Sequence, residues 1–167
     1  MFEVAEVMNT ELYTLREDDS VHDARQLMAD HHIRHIPIVD GASRLVGLVS
    51  QRDVLAAADS NLVVAPSDSE AQEVYIAVSS IMSVSVETVQ ESDNLRGAAL
   101  YLQKQKIGCL PVMRGEKLVG IITDSDFVAV AINLMEQLED SEPLADEEDP
   151  ASTLQEEADL LSAGNLG

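Results

Sequence analysis

The chain has 167 residues, of which 46% are hydrophobic and only 3% aromatic, so its core must be built mainly from aliphatic side chains, alanine and methionine. Its formal net charge of −21 opposes binding to nucleic acid or anionic lipid, which requires clustered Lys and Arg. No apolar run reaches the roughly 18 residues of a membrane span, and the first residues lack a signal-peptide pattern. The single cysteine, Cys109, fits a reducing compartment. We therefore expect a cytoplasmic protein with no nucleic-acid or membrane partner.

The first half of the chain predicts the order strand, helix, strand, strand, helix. Residues 12–15 suit a short strand, and Ser20 is a candidate N-cap for a helix whose apolar side chains recur on one face. A Pro-bearing strand over 35–39 precedes an Asp-Gly turn and a strand over 45–49. Ser50 then begins a second helix. Proline inside a strand indicates an edge position or a strand end.

The second half repeats this order. Residues 84–89 suit a strand, a helix follows with apolar positions from Leu95 to Leu102, and a Pro-bearing strand covers 109–112. An Arg-Gly turn leads into a strand over 118–122, and an apolar helix extends over 127–138. Eleven of the 31 acidic residues then lie between Glu136 and Asp159, and no Lys or Arg follows Lys117. This composition predicts an acidic, mostly disordered tail over 139–167.

One motif occurs in both halves. Residues 47–53 read Gly-Leu-Val-Ser-Gln-Arg-Asp, and residues 120–126, which begin 73 positions later, read Gly-Ile-Ile-Thr-Asp-Ser-Asp. Two aliphatic residues followed by Ser or Thr are typical of a buried strand that enters a helix. Ser-x-x-Asp at a helix start also resembles a capping box, in which both side chains satisfy free backbone amides. Capping alone would account for both residue types.

With both signatures, both Pro-bearing strands and the paired openings Val7-Met8 and Ile81-Met82, the chain resembles a tandem pair of cystathionine-β-synthase (CBS) domains, or Bateman module. The resemblance implies an α/β (α+β) fold of two pseudo-symmetric β-α-β-β-α units packed as one module. We expect the first unit at 4–60, a linker at 61–77, the second unit at 78–138 and the tail at 139–167.

The resemblance also implies a regulatory, non-catalytic module that binds an adenosine ligand of the AMP, ADP or ATP type in clefts between the units. Asp53 and Asp126 would accept hydrogen bonds from ribose hydroxyls, with Ser50 and Thr123 beside them. For the first cleft, the phosphate-binding candidates are Arg34, His35 and Arg52, although a single Arg such as Arg52 is more often a plain surface residue. The second unit offers Gly108, Cys109, Asp124 and Ser125 at the matching positions, without a cation.

Each unit's opening residues are expected to complete the opposite cleft. By position these are Met82, Ser83 and Val86 for the first signature, and Met8, Thr10 and Tyr13 for the second. Ordinary strand packing or turn formation would explain the same residues equally well.

Other readings carry less weight. His31, His32 and His35 cross from helix to strand and lack a further zinc ligand, so we expect no metal and no required cofactor. Cys109 among aliphatic neighbours indicates a packing residue. No nucleophile elbow or Walker loop is present, which disfavours an enzyme. The alternative is a ligand-free structural module. In either case we expect a homodimer, with 54–58 and 127–134 as candidate surfaces, and a regulated protein partner.

Overall fold

The computed structural model of the protein describes residues 2–62 and 75–141. The first repeat contains a 3₁₀ turn (Val4–Glu6), helix α1 (Val21–His31), strands β1 (His35–Val39) and β2 (Leu45–Ser50), and helix α2 (Gln51–Leu62). The second repeat contains a 3₁₀ turn (Val78–Ser80), strand β3 (Val89–Gln90), helix α3 (Leu95–Gln105), strands β4 (Cys109–Arg114) and β5 (Lys117–Thr123), and helix α4 (Asp124–Ser141). This mixed architecture confirms the predicted fold class.

By internal contacts the chain divides into Met1–Ala129, which holds both repeats' sheets, and Val130–Gly167. The described part of the second unit is the continuation of α4 to Ser141, so residues 139–141 are helical rather than part of a tail. The rest of the predicted tail, residues 142–167, lies outside the described residues, as does most of the predicted linker, residues 63–74.

The two repeats exchange their opening segments. The Val4 amide donates to the Asp93 carbonyl at 2.9 Å, and Asn9 exchanges two 2.9 Å backbone hydrogen bonds with Ile121 of β5. In the reciprocal arrangement the Val78 amide donates to the Asp19 carbonyl at 2.8 Å, and Ser83 pairs with Leu48 of β2 at 2.9 and 3.0 Å. Each opening segment is therefore bonded into the other repeat.

The hydrophobic cores follow the same exchange. Val4 is fully buried among side chains of the second repeat, whose core members are Leu95, Ala98, Leu102, Leu110, Val112 and Ile122. Val78 is fully buried among side chains of the first repeat, namely Ala24, Met28, Ile36, Ile38, Val49 and Val54. Full burial of one such aliphatic side chain contributes about 1.5–3 kcal/mol, so neither core is complete without the segment that the other repeat supplies.

Proline limits the sheets. Only Leu15 of the strand predicted over 12–15 pairs with β1, and the strand predicted over 84–89 is reduced to Val89–Gln90. Leu15 donates to the Pro37 carbonyl and accepts from the Val39 amide. Extending this parallel pairing by two residues would require an amide hydrogen on Pro37, which proline lacks. In the second repeat Pro111 limits the pairing of β3 in the same way. Strand β4 is nevertheless central in its sheet, because its residues Val112 and Met113 pair with β3 on one side and β5 lies on the other.

Two glycines make room for the exchanged segments. A Cβ on Gly47 would lie 2.5 Å from the Met82 sulfur, and a Cβ on Gly120 would lie 2.6 Å from the Met8 sulfur and 3.1 Å from the Asn9 carbonyl oxygen. A methionine side chain can move, whereas the carbonyl is held in the pairing with Ile121. The contact at Gly120 is therefore the less adaptable.

We expect Gly120→Ala to lower the free energy of unfolding by about 1–3 kcal/mol, and Gly47→Ala by less. Adding Met82→Ala should relieve part of the Gly47→Ala effect. Gly97→Ala is the control, because a Cβ there meets only Asn94 at 3.9 Å on α3. Urea denaturation measures all four changes. Equal stability of the Gly97 and Gly120 variants would contradict the close packing.

Candidate functional site

The first cleft is an open cavity of about 1250 Å³ between the two repeats. It is framed on one side by the end of β2 and the start of α2, which place Ser50, Arg52 and Asp53 at its edge. Further predicted residues lining this cleft are Arg34, His35, Ser83 and Val86. Its volume lies above the range of about 300–1,000 Å³ that is common for small-molecule sites.

The second cleft is much smaller, at about 160 Å³. It is lined by Thr123 and Asp126 of the second signature and by Tyr13 from the opening of the first repeat. The Tyr13 ring stacks on the His31 ring at a centroid distance of 3.8 Å. Arg34 and His35 line this cleft as well as the first.

The difference in size has a counterpart in the repeat. Gly108 precedes β4 where Arg34 precedes β1, and both residues line the first cleft, whereas the second cleft is lined by Arg34 without Gly108. A Cβ on Gly108 would lie 3.2 Å from the His35 ring. Gly108 therefore keeps the first cleft open beside His35.

Asp53 is held by the capping interaction that the sequence suggested. One carboxylate oxygen, Oδ2, accepts from the Ser50 amide at 2.8 Å and from the Ser50 hydroxyl at 2.6 Å. The structure shows no hydrogen bond to the other oxygen, Oδ1, from any described residue. Asp126 has the same arrangement, with Oδ2 accepting from the Thr123 amide at 2.7 Å and the Thr123 hydroxyl at 2.8 Å.

The same cap also occurs outside either cleft. At the start of α1, Asp23 Oδ2 accepts from the Ser20 amide at 3.0 Å and from the Ser20 hydroxyl at 2.6 Å. Both Asp23 and Ser20 are absent from the linings of the two clefts. Capping geometry therefore does not distinguish a ligand-binding aspartate; its position in a cleft does. The pair Ser20 and Asp23 provides an internal control for Ser50 and Asp53.

The first cleft is lined by the three predicted basic residues, Arg34, His35 and Arg52, and by a fourth that was not predicted. Burial, and next the neighbouring Arg34 guanidinium, lower the pKa of His35 below its ordinary value of 6.5, while Asp124 and Asp53 oppose the shift. The imidazole is therefore mainly neutral at pH 7, so His35 adds less positive charge to the cleft than Arg34 and Arg52 do. Lys106, at the C-terminal end of α3, supplies a further cation that was not predicted from the sequence. The corresponding position in the first repeat is His32, so comparing the repeats would have drawn attention to it.

Arg34 is engaged across the two repeats. Its Nη2 donates to Ser125 Oγ at 3.2 Å and lies 3.4 Å from Asp124 Oδ1. Both ionic side chains are more than half exposed, at 56% and 58%, so solvent weakens this ion pair and it can exchange partners.

Several predicted positions lie elsewhere. Gly108, Cys109 and Asp124 line the first cleft rather than the second, because the start of β4 faces the first signature across the repeats. Met82 packs against Gly47, and Thr10 is not among the residues that line either cleft. Because the opening segments are exchanged, Met82 packs against the first repeat's core and Met8 packs against the second repeat's core.

Cys109 is buried at the edge of the first cleft. Burial, with smaller contributions from Asp126 and Asp124, raises the pKa of its thiol to about 12. A thiol that stays protonated at neutral pH is a poor nucleophile, in agreement with a packing role. The described residues contain no group of three or more His, Cys, Asp or Glu side chains placed to hold a metal ion.

These features define a class of protein. A family model of the CBS domain matches residues 4–60 and again 78–133. The chain belongs to the CBS-domain family, and its two repeats form a CBS pair.

Relatives of known structure share this architecture. A protein from Vibrio cholerae assigned to acetoin utilization (AcuB) is 43% identical, covers 86% of this chain and 99% of its own, and superposes with a TM-score of 0.71. CBSX2, crystallised with AMP, is 29% identical, covers 81% of this chain and 99% of its own, and has a TM-score of 0.67; the protein is from Arabidopsis thaliana.

Sequence relatives include longer proteins. A CBS domain-containing protein of Dictyostelium discoideum is 27% identical over 135 residues, or 80% of this chain and 93% of the relative. A homoserine O-acetyltransferase of Methanocorpusculum labreanum is 29% identical over 72% of this chain, which corresponds to only 22% of that enzyme. Within the ranges that the structure describes, no helix has the length and apolar character needed to cross a bilayer.

The lowered pKa of His35 predicts a specific pH dependence. As pH falls below about 6.5, the unfolded chain takes up the proton before the folded chain, so this residue reduces stability progressively until the folded-state pKa is passed. We expect His35→Gln to lose less stability than the wild type between pH 7.5 and 5.5 in urea denaturation. Titration of the His35 ring by NMR, assigned with this variant, should show an inflection below pH 6.5. An inflection above that value would contradict the site's electrostatics.

Proposed function

We propose that the protein is a non-catalytic regulatory module that binds an adenine nucleotide of the AMP, ADP or ATP type in its first cleft. Two observations about this cleft carry the proposal. Asp53 Oδ1 accepts no hydrogen bond from the described residues. The basic residues Arg34, Arg52 and Lys106 line the same cleft. Ribose hydroxyls can donate to a carboxylate, and phosphate requires cations in a chain this acidic. CBSX2, similar over most of its length, was crystallised with AMP.

Regulation follows from where the cleft lies. Ser50 and Asp53 belong to the first repeat, whereas Ser83, Lys106 and Gly108 belong to the second. A ligand that contacts both repeats stabilises the arrangement that it fits best, by its differential affinity for the available conformations. We propose that a protein partner responds to this shift, and that the module acts in the cytoplasm, where its unpaired cysteine stays reduced.

The alternative is a structural module that binds no nucleotide. The cap formed by Ser20 and Asp23 supports this alternative, because it shows that the signature's side chains have a purely structural use in the same chain. A thermal-shift screen with AMP, ADP, ATP, S-adenosylmethionine and NAD separates the two functions. Stabilisation by an adenine nucleotide supports the sensor, and no response to any of the five supports the structural module.

We expect Asp53→Ala to weaken AMP binding by about 10- to 150-fold, through loss of a charge-assisted hydrogen bond worth about 1.5–3 kcal/mol. Asp23→Ala is the matched control, because it removes the same kind of cap outside the clefts. Both changes should cost roughly 0.5–2 kcal/mol of folding stability. Titration calorimetry with urea denaturation of both variants compares the two effects. Similar AMP affinity of both variants would contradict a ribose contact at Asp53.

We also propose that the protein is a homodimer. Of the two predicted surfaces, Val54 is buried in the first repeat's core and Phe127 packs partly against the second. Exposed apolar side chains remain on α4, where Val128, Ile132, Leu134, Met135 and Leu138 are each 48–68% exposed. A row of apolar side chains of this kind favours contact with another surface.

Sedimentation equilibrium at micromolar concentration should give about twice the 18.1 kDa chain mass. Ile132→Asp, which places a charge in the apolar row, should shift the equilibrium to the single chain. Leu100→Asp is the control, because Leu100 is comparably exposed at 52% but lies on α3. A wild-type protein that sediments only at 18.1 kDa would contradict the dimer.

The similarity to the Vibrio cholerae protein supports a proposal about the metabolic setting. Because the two chains are 43% identical and the similarity covers 99% of the Vibrio cholerae protein, we infer that the present module regulates a step of acetoin utilization. Deleting its gene should slow growth on acetoin as sole carbon source and leave growth on glucose unchanged. Equal growth rates on acetoin with and without the gene would contradict this setting.

A further inference from the structure

The two clefts differ in the cations available to a phosphate, and one cation belongs to both. The first cleft has the cations Arg34, Arg52 and Lys106 and the carboxylates Asp53, Asp59, Glu87 and Asp124. The second has Arg34 together with two histidines, and the carboxylates Glu11 and Asp126 face it. One of those histidines, His35, has a lowered pKa and is mainly neutral at pH 7. Arg34 is therefore the guanidinium on which a phosphate in the second cleft would depend.

The geometry places Arg34 at the boundary between the clefts. Its Nη2 reaches both Ser125, which lines the second cleft, and Asp124, which lines the first. A phosphate that binds in either cleft must draw the guanidinium toward itself. The other cleft then loses this cation, and a phosphate that entered the first cleft without Arg34 would face the Asp124 carboxylate without its ion-pair partner.

We propose that Arg34 is one anion-binding residue shared by the two clefts, so that the chain holds a single phosphate-bearing adenosine ligand at full affinity. An adenosine ligand without phosphate does not compete for Arg34, although the second cleft, at about 160 Å³, must widen to admit it. This inference rests on the proposed nucleotide binding and adds its stoichiometry and ligand class. Coupling between sites is reciprocal, so each occupied cleft weakens phosphate binding in the other by the same factor.

The test is titration calorimetry with AMP and with adenosine. Asp53→Ala weakens the first cleft and leaves the second intact, and Asp126→Ala does the reverse, so the tighter binding step of each variant gives the affinity of its intact cleft. In the wild type we expect the second AMP molecule to bind at least about tenfold more weakly than AMP binds to the same cleft in the variant whose other cleft is weakened. A tenfold effect is a typical strength of coupling between sites. Adenosine should show no such difference, because it carries no phosphate for Arg34.

Arg34→Gln should weaken AMP in both clefts and remove the difference between the wild-type and single-cleft affinities. Arg44→Gln is the matched control, because Arg44 forms its ion pair with Asp40 and lines neither cleft. It should behave as the wild type.

Different failures have different meanings. If AMP binds both clefts of the wild type with the same affinities as in the two single-cleft variants, Arg34 is not shared. The same conclusion follows if Asp53→Ala abolishes all AMP binding. Coupling that persists in Arg34→Gln, or that is equally strong with adenosine, would also overturn the proposal, since it would arise from shape rather than charge. If neither AMP nor adenosine binds the wild type, the proposed function itself is contradicted.

Discussion

The exchange of opening segments between the repeats is the constraint on which the rest of the structure depends. Val4 and Val78 are fully buried, Val4 in the core of the second repeat and Val78 in the core of the first. The paired backbone hydrogen bonds of Asn9 with Ile121 and of Ser83 with Leu48 fix the register of this exchange. Since burial of aliphatic side chains is the main favourable contribution to folding, each repeat needs the other to complete its core. The small size of each repeat strengthens this dependence.

The clefts are a consequence of the same exchange. Ser83 pairs with Leu48 and thereby brings the second repeat's opening to the end of β2, where Ser50 and Asp53 lie. Tyr13 reaches the neighbourhood of Thr123 and Asp126 in the reciprocal way. Each cleft is therefore built from both repeats, and a ligand in it acts on their mutual arrangement. At the centre, where β1 begins, Arg34 and His35 line both clefts.

Much of this arrangement could be predicted from the sequence, because a duplicated pattern leaves a strong local signal. The helices, the Pro-bearing strands and the cap at Ser20 follow from residue periodicity and capping chemistry. The first strand of each repeat was predicted too long, since the effect of Pro37 on a partner strand depends on pairing that the sequence does not show. The neutral state of His35 depends on burial by distant residues. The placement of Gly108 in the first cleft likewise depends on how the repeats face each other.

The most direct test of the exchange is to divide the chain between residues 62 and 75 and to study the two halves separately and mixed. Each half then carries an opening segment that belongs to the other half's core. Thermal unfolding followed by circular dichroism should show no cooperative transition for either half alone. A single cooperative transition should appear when the halves are mixed in equal amounts. If each half alone unfolded cooperatively, and mixing changed neither transition, the repeats would be independent and the account would be contradicted.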